Sequence, residues 1–448
     1  MIKFFKKAPL AAGVVIAMAS GGAQAISTGT DLNLTAKAAA GGMGGAAYTM
    51  PQEASAAVFG NPATLTQFKG FNMNFGASYL DYDLSSKDVS DNLGLTSGQT
   101  HTNDAGGYIV PDVGITLELA PGLVIGTGLE VDAGLGADYR DDPIMANILG
   151  GLNLHVELIS FNANLAAGYE VTDKWSVGAA ATVGFALFQV ADSNGAASVA
   201  AGGAAGSSSS VHDIGFGLTL GTTYELQQGI MVSGTAKSPV KYSFNTVADA
   251  GGPALGAGTA GNWQDTDLEQ PLELIVGVAL DDVLMPGLLV EADVIWKNWG
   301  DADFYEDIFD DQFLIAVGAQ LEAGDWTFRA GYSWAEDILA KPNASGTIGG
   351  LTHASGLVPF DAGALTIVQM SLTPVIWEHT VTAGIGYNFT PNVRVDAYGA
   401  YAFGESDDRT YTINPAAPLG AAFGLTGVQE ANAQQQWMIG AGLNVAMP

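Results

Sequence analysis

Apolar and polar residues alternate along most of this 448-residue chain, and this alternation limits the folds that it can adopt. From 71 to 79, apolar residues occupy every odd position, and Asn, Gly or Ser occupies every even position. The same division recurs over 175–185, 326–334 and 437–445. A period of two is that of a β-strand whose two faces meet different surroundings. The sequence therefore predicts an all-β fold.

The less apolar face of these segments indicates what surrounds the strands. In a soluble sandwich, that face would carry many solubilising lysines and glutamates, whereas here it is mainly Gly, Ser, Thr and Asn. Small and uncharged side chains suit the crowded or solvated lumen of a barrel, and the aromatic-ended apolar face suits lipid. We therefore expect a transmembrane antiparallel β-barrel with its apolar face outward.

Composition and charge exclude several classes of function. The chain has 46 acidic and 15 basic residues, a formal net charge of −31, so a basic surface for nucleic acid is excluded. The absence of cysteine removes disulfides and thiolate metal sites. No linker of distinct composition divides the chain, and its 60 glycines favour a barrel or a sandwich. One large domain without a nucleic-acid partner is expected.

The first 25 residues have the pattern of a removable signal peptide. Three lysines lie within the first seven residues, an apolar run covers 8–19, and Ala-Gln-Ala at 23–25 forms a cleavage site. The apolar run is shorter than the roughly 20 residues that a spanning helix needs. We expect the mature protein to begin at Ile26 and to contain no transmembrane helix.

The stretch 36–68 differs from the alternating segments that follow it. It is rich in Gly and Ala, and it has too few large apolar side chains to form a core by itself. Asn61-Pro62 favours a turn, because Pro fixes its own φ and disfavours helical backbone at the residue before it. Such a segment needs a container, which the predicted barrel can provide.

The short motifs of this stretch resemble the N-terminal hatch of the FadL family. Members of that family are bacterial outer-membrane channels for long-chain fatty acids and other hydrophobic molecules. The resemblance rests on Glu53, Phe59 and the triplet Asn61-Pro62-Ala63, which follow a Gly-rich approach. It implies that this stretch plugs the lumen of the barrel as a hatch.

The resemblance extends along nearly the whole mature chain at low identity. Ala-Lys-Ser-Pro at 236–239, the acidic-Trp-Trp segment 290–299 and Arg-Ala-Gly-Tyr at 329–332 follow the family's order of strand motifs. The family also implies lateral exit through a kink in the third strand, where Gly134 and Gly136 are the glycines that could bend the wall. One departure is the C-terminus, Val-Ala-Met-Pro, where outer-membrane barrels usually end in an aromatic residue.

Guided in part by this resemblance, we count fourteen strands. The predicted strands are 71–84, 109–120, 122–137, 154–171, 174–190, 211–226, 229–245, 268–281, 287–300, 312–323, 325–335, 374–389, 392–404 and 434–446. Their connections alternate between long and short, as in barrels with long extracellular loops and short periplasmic turns. The predicted division is a signal peptide at 1–25, a hatch at 26–68 and a fourteen-stranded outer-membrane barrel at 69–448.

Alternation places five basic residues inward. Lys297, set among Glu291 and Asp293, is assigned to an ion-pair ladder, and the other four are the candidate ligand contacts: Lys237, Lys241, Arg329 and Arg394. A cation facing lipid at mid-bilayer would cost roughly 2–4 kcal/mol, which supports inward placement. The acids of the same parity are Glu130, Asp132, Glu273, Glu291, Asp293, Glu378 and Asp396. The cations either form an ion-pair ladder with these acids or, as the resemblance implies, meet the carboxylate of a fatty acid. Because acids outnumber bases, a neutral hydrocarbon is an open alternative.

The sequence shows no pattern of catalytic or metal-binding residues. The five histidines, scattered over predicted loops and strand ends, are His101, His155, His212, His353 and His379. No phosphate-binding loop, HExxH or EF-hand spacing occurs, and we interpret the acidic doublets as solvated surface charge. We predict no enzyme activity, no cofactor and no metal site.

Together these features predict passive uptake of hydrophobic molecules, either long-chain fatty acids or hydrocarbons, across the outer membrane of a Gram-negative cell. The ligand would be captured by extracellular loops, held in the lumen above the hatch, and released laterally or past the hatch. The alternatives are a structural or adhesive barrel and an open porin for small polar solutes, and a hatch argues against the open porin. The expected partners are the lipid bilayer and the hydrophobic ligand, with the protein a monomer.

Overall fold

The strands close into an antiparallel barrel because the last strand pairs with the first. The computed structural model describes residues 38–89, 99–139, 141–142, 154–192, 210–249, 263–339, 362–372, 377–413 and 425–448. Its strands are β1 (Phe71–Asp88), β2 (Thr100–Thr102), β3 (Tyr108–Ala120), β4 (Leu123–Asp138), β5 (Leu154–Thr172), β6 (Trp175–Asp192), β7 (Val211–Gln227), β8 (Ile230–Lys237), β9 (Val240–Asp249), β10 (Trp263–Gln270), β11 (Glu273–Asp281), β12 (Leu288–Lys297), β13 (Gln312–Ala323), β14 (Trp326–Ala335), β15 (His379–Thr390), β16 (Val393–Ile413) and β17 (Leu425–Met447).

Fourteen of these strands form the barrel wall, which confirms the predicted fold and strand number. The wall runs β1, β3 to β8 and β11 to β17, and each strand pairs with its neighbours in the chain order of the wall. The short strand β2 pairs with β1 above the wall, and β9 and β10 form a separate two-stranded sheet. Full closure leaves no free edge along most of the wall, so its backbone groups are paired without water.

The two faces of the wall differ as the alternation predicts. Phe75, Phe216 and Phe328 point outward and are 49%, 72% and 48% exposed. Their neighbours of the other parity, such as Asn74 and Thr327, are buried in the lumen. Outward aromatic and aliphatic side chains with inward polar ones match a wall that stands in lipid.

The predicted continuous strands 229–245 and 268–281 are wrong, because each is broken by a proline. β8 ends at Lys237 before Pro239, and β10 ends before Pro271. Proline has no N–H to donate to a ladder, so a central strand cannot continue through it. The chain between the breaks leaves the wall as the β9–β10 hairpin. This hairpin packs on the inner face of β7, where a Cβ at Gly215 would lie only 2.6 Å from Val240 Cγ1.

Short helices occupy the lumen and one of the long connections. Ala38–Gly42 and Ala54–Phe59 are α-helical, and Pro62–Gln67 is a 3-10 helix. Ala362–Leu372 forms a helix in a connection that the sequence predicted only as a loop, with 3-10 turns at Trp299–Asp301 and Tyr305–Asp307. No helix among the described residues has the length and apolar character to cross a membrane. The predicted signal peptide and residues 26–37 lie outside the described part of the chain.

Candidate functional site

The N-terminal segment 38–67 lies in the lumen and touches strands around most of the wall. Ala38–Gly42 contacts β14 to β17 and β1, and Ala54–Phe59 contacts β1 and β3 to β5. Pro62–Gln67 contacts β4 to β7. Nearly every residue of the segment is buried. A chain that touches opposite parts of a closed wall through inward side chains must lie inside it.

Wall glycines explain how the segment fits so closely. A Cβ at Gly114, Gly178 or Gly331 would overlap the backbone of the segment. Gly42 of the segment likewise lies against Gly384 of the wall, where an added Cβ would be 2.9 Å from the Gly384 Cα. The glycines on the inward face of the strands therefore leave space for the backbone of this segment. The alternation of apolar and polar residues alone does not reveal this role.

The predicted motif Asn61-Pro62-Ala63 is buried where the segment turns against the wall. The Asn61 side chain accepts a hydrogen bond from the Ala63 N–H at 3.1 Å, and Pro62 begins the 3-10 helix. Asn61 Nδ2 donates to the Tyr48 carbonyl at 2.9 Å and to the carbonyl of Thr222 on β7 at 3.4 Å. One amide side chain thus joins the turn, the segment and the wall, because buried backbone groups need partners.

Phe59, the fourth residue of this motif, anchors the segment through apolar contact. Its side chain is 3% exposed and packs in a cluster with Val58 and Leu65 of the segment and Val124 of β4. Gly128 of β4 leaves room for the ring, since a Cβ there would lie 2.8 Å from Phe59 Cε2. The motif residues therefore contact the segment and the wall.

Two wall carboxylates bind four consecutive backbone N–H groups of the segment. Asp293 accepts from residues 47 and 48 at 3.1 and 3.4 Å, and Glu291 accepts from residues 49 and 50 at 2.7 and 3.1 Å. Both carboxyl groups are on β12 and are fully buried. The sequence placed them inward but gave no indication of this role, because their partners lie more than 240 residues away along the chain.

Two of the predicted ligand contacts, Arg329 and Arg394, share one wall carboxylate. Arg329 Nη1 lies 2.6 Å from Asp396 Oδ1, and Arg394 Nε lies 2.7 Å from Asp396 Oδ2. Arg329 Nε also donates to Gln320 Oε1 at 2.7 Å, and Arg394 Nη2 donates to the carbonyl of Gln52 in the segment at 2.7 Å. Both guanidinium groups are thus held within the wall and against the segment.

Glu53 lies beside this arginine pair and closes the N-terminal end of the segment. Its carboxyl group accepts from the N–H groups of Ala39 and Ala40, with Glu53 Oε1 at 3.3 Å from each nitrogen. Complete burial and the nearby Asp396 carboxylate raise the pKa of Glu53 above its ordinary value of 4.5. The N–H of Ala40 and the guanidinium groups of Arg394 and Arg329 oppose this rise in pKa without reversing it.

The other two predicted contacts, Lys237 and Lys241, lie in different surroundings. Lys237 Nζ is 3.0 Å from Glu273, which also binds Lys297 at 3.1 Å, and it lies 5.5 Å from the ring centre of Tyr48. Lys241 was predicted to face the lumen, but it lies on the outer face of the β9–β10 hairpin with half of its side chain exposed. The proline break before β9 causes this difference.

Lys241 has carboxylate partners as well. It binds Asp303 and lies 3.6 Å from Asp267. The hydrogen bond with Asp303 raises the pKa of Lys241 above its usual range. All four candidate cations therefore have carboxylate partners within the protein.

Aromatic side chains fill the lumen at the end where the long connections lie. We call this group the aromatic cluster, and its members are Tyr82, Tyr108, Phe188, Tyr242, Phe244, Trp299, Phe304, Tyr305, Phe309 and Trp377. The ring centres of Phe188 and Phe244 are 5.2 Å apart, and those of Trp299 and Tyr305 are 4.6 Å apart. The wall, the β9–β10 hairpin and the connection after β12 all contribute rings. Sequence reasoning missed the cluster because it assigned Tyr242, Phe244 and Trp299 to continuous wall strands and treated residues 301–311 only as a loop.

Strand pairing in the wall is interrupted near the predicted kink in the third barrel strand, β4. The β3–β4 ladder runs only to the pair Asp112 and Glu130, and β4 has a bulge between Val131 and Ala133. Beyond the bulge, the Tyr82 hydroxyl donates to the Gly136 carbonyl at 2.7 Å, across the inner side of the wall. Bulges bend a strand and locally disrupt its ladder.

Comparison with known proteins places this chain among outer-membrane transport proteins. A family model described as "Outer membrane protein transport protein (OMPP1/FadL/TodX)" matches residues 15–348. Outer membrane protein P1 of Haemophilus influenzae is 25% identical over 142 residues, which are 29% of this chain and 30% of that protein. The matched stretch therefore spans less than a third of that curated relative.

Solved structures with the same fold cover nearly the whole chain. The toluene transporter TodX of Pseudomonas putida has a TM-score of 0.62 at 19% identity, covering 91% of this chain and 97% of that one. A FadL homologue of Pseudomonas aeruginosa has a TM-score of 0.63 at 13% identity, covering 95% and 100%. The toluene transporter TbuX of Ralstonia pickettii has a TM-score of 0.60 at 16% identity, covering 93% and 100%. With the family model matching most of its length, this chain belongs to the OMPP1/FadL/TodX family of outer-membrane transport proteins.

Proposed function

We propose that this protein is a passive channel for uncharged hydrophobic molecules, with small aromatic hydrocarbons as the ligand class that fits best. The observation that carries this choice is the pairing of all four candidate cations with carboxylates. Burying a ligand carboxylate without a counterion is costly, whereas a neutral ring needs none. Several structural neighbours are named as toluene transporters or monoaromatic hydrocarbon channels, which agrees with this class.

The aromatic cluster is the proposed capture site. Ring pairs such as Phe188 with Phe304, at 5.7 Å and nearly perpendicular, offer the edge-to-face packing that a small aromatic ligand can join. Apolar contact is not directional, so ligands of different shape can exchange there without leaving polar groups unpaired. The site needs no reacting group, and we propose that the protein performs no catalysis.

A long-chain fatty acid is the second candidate, favoured by one observation at Arg329. Its Nη2 is buried and makes no hydrogen bond to any of the described residues. The Arg329 side chain is fully buried, so a carboxylate could reach Nη2 only after the groups that cover it had moved. This requirement makes the fatty acid the weaker candidate.

The segment 26–68 is the proposed hatch, and 69–448 the barrel that holds it. Buried contacts between the described part of this segment and nearly all of the wall support a plug that prevents free passage of polar solutes. An open porin would have no use for such a filling. We propose a monomer, since closure of the barrel within one chain requires no second copy.

For exit, we propose lateral release past β4, near Gly134 and Gly136. The shortened β3–β4 ladder and the bulge after Val131 support this route, because pairing of the wall is interrupted there. A hydrophobic ligand would then pass from the lumen into the bilayer without crossing the hatch. Release past the hatch is the alternative route.

Uptake measurements test the proposal directly. Cells that lack their own hydrocarbon channel would express this protein, and entry of radiolabelled toluene and of a labelled long-chain fatty acid would be compared with cells carrying an empty vector. We expect faster toluene entry and little change for the fatty acid. Equal entry of toluene in both cell lines would contradict a hydrocarbon channel, and selective fatty-acid entry would establish the second candidate.

A further inference from the structure

One periplasmic turn differs from the other described turns at its end of the barrel. Five of the turns between consecutive wall strands contain two residues, and they are Pro121-Gly122, Asp173-Lys174, Gln228-Gly229, Gly324-Asp325 and Pro391-Asn392. The turn between β11 and β12 contains six residues, 282–287. Val283, Leu284 and Met285 stand at its tip and are 43%, 62% and 48% exposed. Three adjacent exposed apolar side chains need a partner more than single ones do.

The turn is held in one conformation by its own backbone. Asp282 Oδ1 accepts from the Gly287 N–H at 2.6 Å, and the Leu288 N–H donates to the Met285 carbonyl at 3.2 Å. Asp282 and Gly287 both have positive φ, at 59° and 78°. The apolar tip is therefore presented by a fixed loop, in which Val283 lies near Gly229 of the neighbouring turn and Leu284 is the most exposed of the three.

β11, which leads into this turn, and β8, its neighbour in the wall, are short for a membrane wall. β8 has 8 residues and β11 has 9, the fewest among the wall strands described. At about 3.4 Å per residue and a tilt of about 40°, they rise about 21 to 23 Å along the membrane normal, whereas the apolar band of such a barrel is about 25 Å tall. This side of the wall is thus slightly too short for the lipid around it.

The apolar, lipid-facing surface of these strands is not extended at their extracellular ends. At that end the chain leaves the wall as the β9–β10 hairpin, and the exposed face of this hairpin carries Lys241 and Asp267, each with about half of its side chain exposed. At the periplasmic end, the outward residues of β11, Val276 and Val278, lead directly to the apolar turn. The turn extends the lipid-facing surface of the short strands in the direction where extension is possible.

We infer that Val283, Leu284 and Met285 insert into the inner leaflet of the outer membrane and anchor the short side of the barrel at its periplasmic edge. The partner is the phospholipid interface, which accepts apolar side chains at the boundary between headgroups and acyl chains. A wall that is too short otherwise thins the bilayer around it, and apolar side chains beyond the strand ends reduce that mismatch.

Spin labelling tests this anchor. Because the chain has no native cysteine, an introduced cysteine is the single site that the label modifies. The variant Leu284→Cys carries a nitroxide label in phospholipid vesicles, with Val276→Cys as the lipid-facing control and Gln228→Cys on the neighbouring polar turn as the aqueous control. Collisions with oxygen, which favours lipid, and with a water-soluble nickel chelate are measured by electron paramagnetic resonance. We expect the oxygen-to-nickel ratio at 284 to lie near that at 276 and several-fold above that at 228. A ratio equal to that at 228 would overturn the inference.

A second measurement relates the turn to bilayer thickness. The triple variant Val283→Thr, Leu284→Gln and Met285→Gln is folded into vesicles of short-chain and long-chain phosphatidylcholine, beside Gln228→Ser as a matched change on the next turn. We expect the triple variant to lose several-fold in folded yield in the thicker bilayer and little in the thinner one. Equal losses in both lipids would indicate a turn that matters only for folding, and would contradict the anchor.

Discussion

The two halves of the lumen are filled by different kinds of chemistry. In the periplasmic half, segment 38–67 is bound by directed polar contacts, including the carboxylates of Glu291 and Asp293 and the amide of Asn61. In the extracellular half, the aromatic cluster packs mainly through ring contacts. Hydrogen bonds fix one geometry, whereas apolar contact tolerates exchange of one partner for another. The contrast supports the proposed hatch below the proposed site of ligand exchange.

Deleting the segment that occupies the periplasmic half of the lumen should have the largest effect, a rise in conductance. Deletion of residues 36–66 takes away the segment and leaves the strands, so we expect a large rise in conductance for small ions in planar bilayers. Unheated and boiled samples compared on a gel would show whether the barrel remains folded, since closed barrels resist unfolding by detergent. A folded barrel that stays closed to ions would exclude the segment as the hatch.

The carboxylate pair allows a smaller change to the same half. Glu291→Ala with Asp293→Ala leaves four buried N–H groups of residues 47–50 without acceptors, and each such group costs about 1–3 kcal/mol. We expect the segment to become accessible to protease from the periplasmic side, with frequent channel openings.

Two control variants sharpen this test. Glu291→Gln with Asp293→Asn keeps an oxygen acceptor at both positions and should preserve most of the closure. Glu378→Ala removes a carboxylate beside the start of β15 whose observed partner is the side chain of Trp334, so it should leave the segment bound. Equal protease sensitivity in all three variants would mean that loss of charge in the wall, and not loss of these hydrogen bonds, releases the segment.

Two phenylalanines on one strand, one inside the aromatic cluster and one outside it, provide a test variant and its control. Phe188 on β6 is buried against Phe244, whereas Phe185 on the same strand faces outward. Phe188→Ala should leave a cavity that costs about 3–5 kcal/mol and should weaken binding of toluene, measured by calorimetry in detergent. Phe185→Ala should leave toluene binding unchanged. If both variants bind toluene as the native protein does, the ligand site lies outside the cluster.

The difference between the halves also explains what the sequence could predict. Alternation of apolar and polar residues shows only that one face of a strand is apolar, so it identifies the wall strands that lie between lipid and lumen. In β9 the same period continues through Val240, Tyr242 and Phe244, but there the apolar face meets the aromatic cluster. Lys241 was consequently assigned to the wrong face. The partners of Glu291 depend on contacts between distant parts of the chain, and no local pattern contains them.

Arg329 tests whether the polar half takes any part in ligand recognition. Arg329→Met keeps much of the apolar bulk but removes the contacts with Asp396 and Gln320, while Arg394 still pairs with Asp396. We expect a loss of about 1–3 kcal/mol in stability and equal, small changes in affinity for a fatty acid and for a hydrocarbon of the same length. A selective loss of fatty-acid binding would assign Arg329 to the ligand carboxylate and would favour the second candidate.

The smallest expected effect concerns pH and Glu53. Burial and Asp396 raise the pKa of Glu53 in the folded protein above the ordinary 4.5. A group with a raised folded pKa binds its proton more tightly in the folded state, so its stabilising contribution is complete below the unfolded value and is lost as pH rises through the folded value. Glu53→Gln keeps an oxygen acceptor for Ala39 or Ala40 but cannot titrate. Relative to this variant, the native protein should become less stable to denaturant as pH increases from about 4 towards neutrality. Parallel stability curves for the two proteins would show that Glu53 stays ionised and that Arg329 and Arg394 offset its burial.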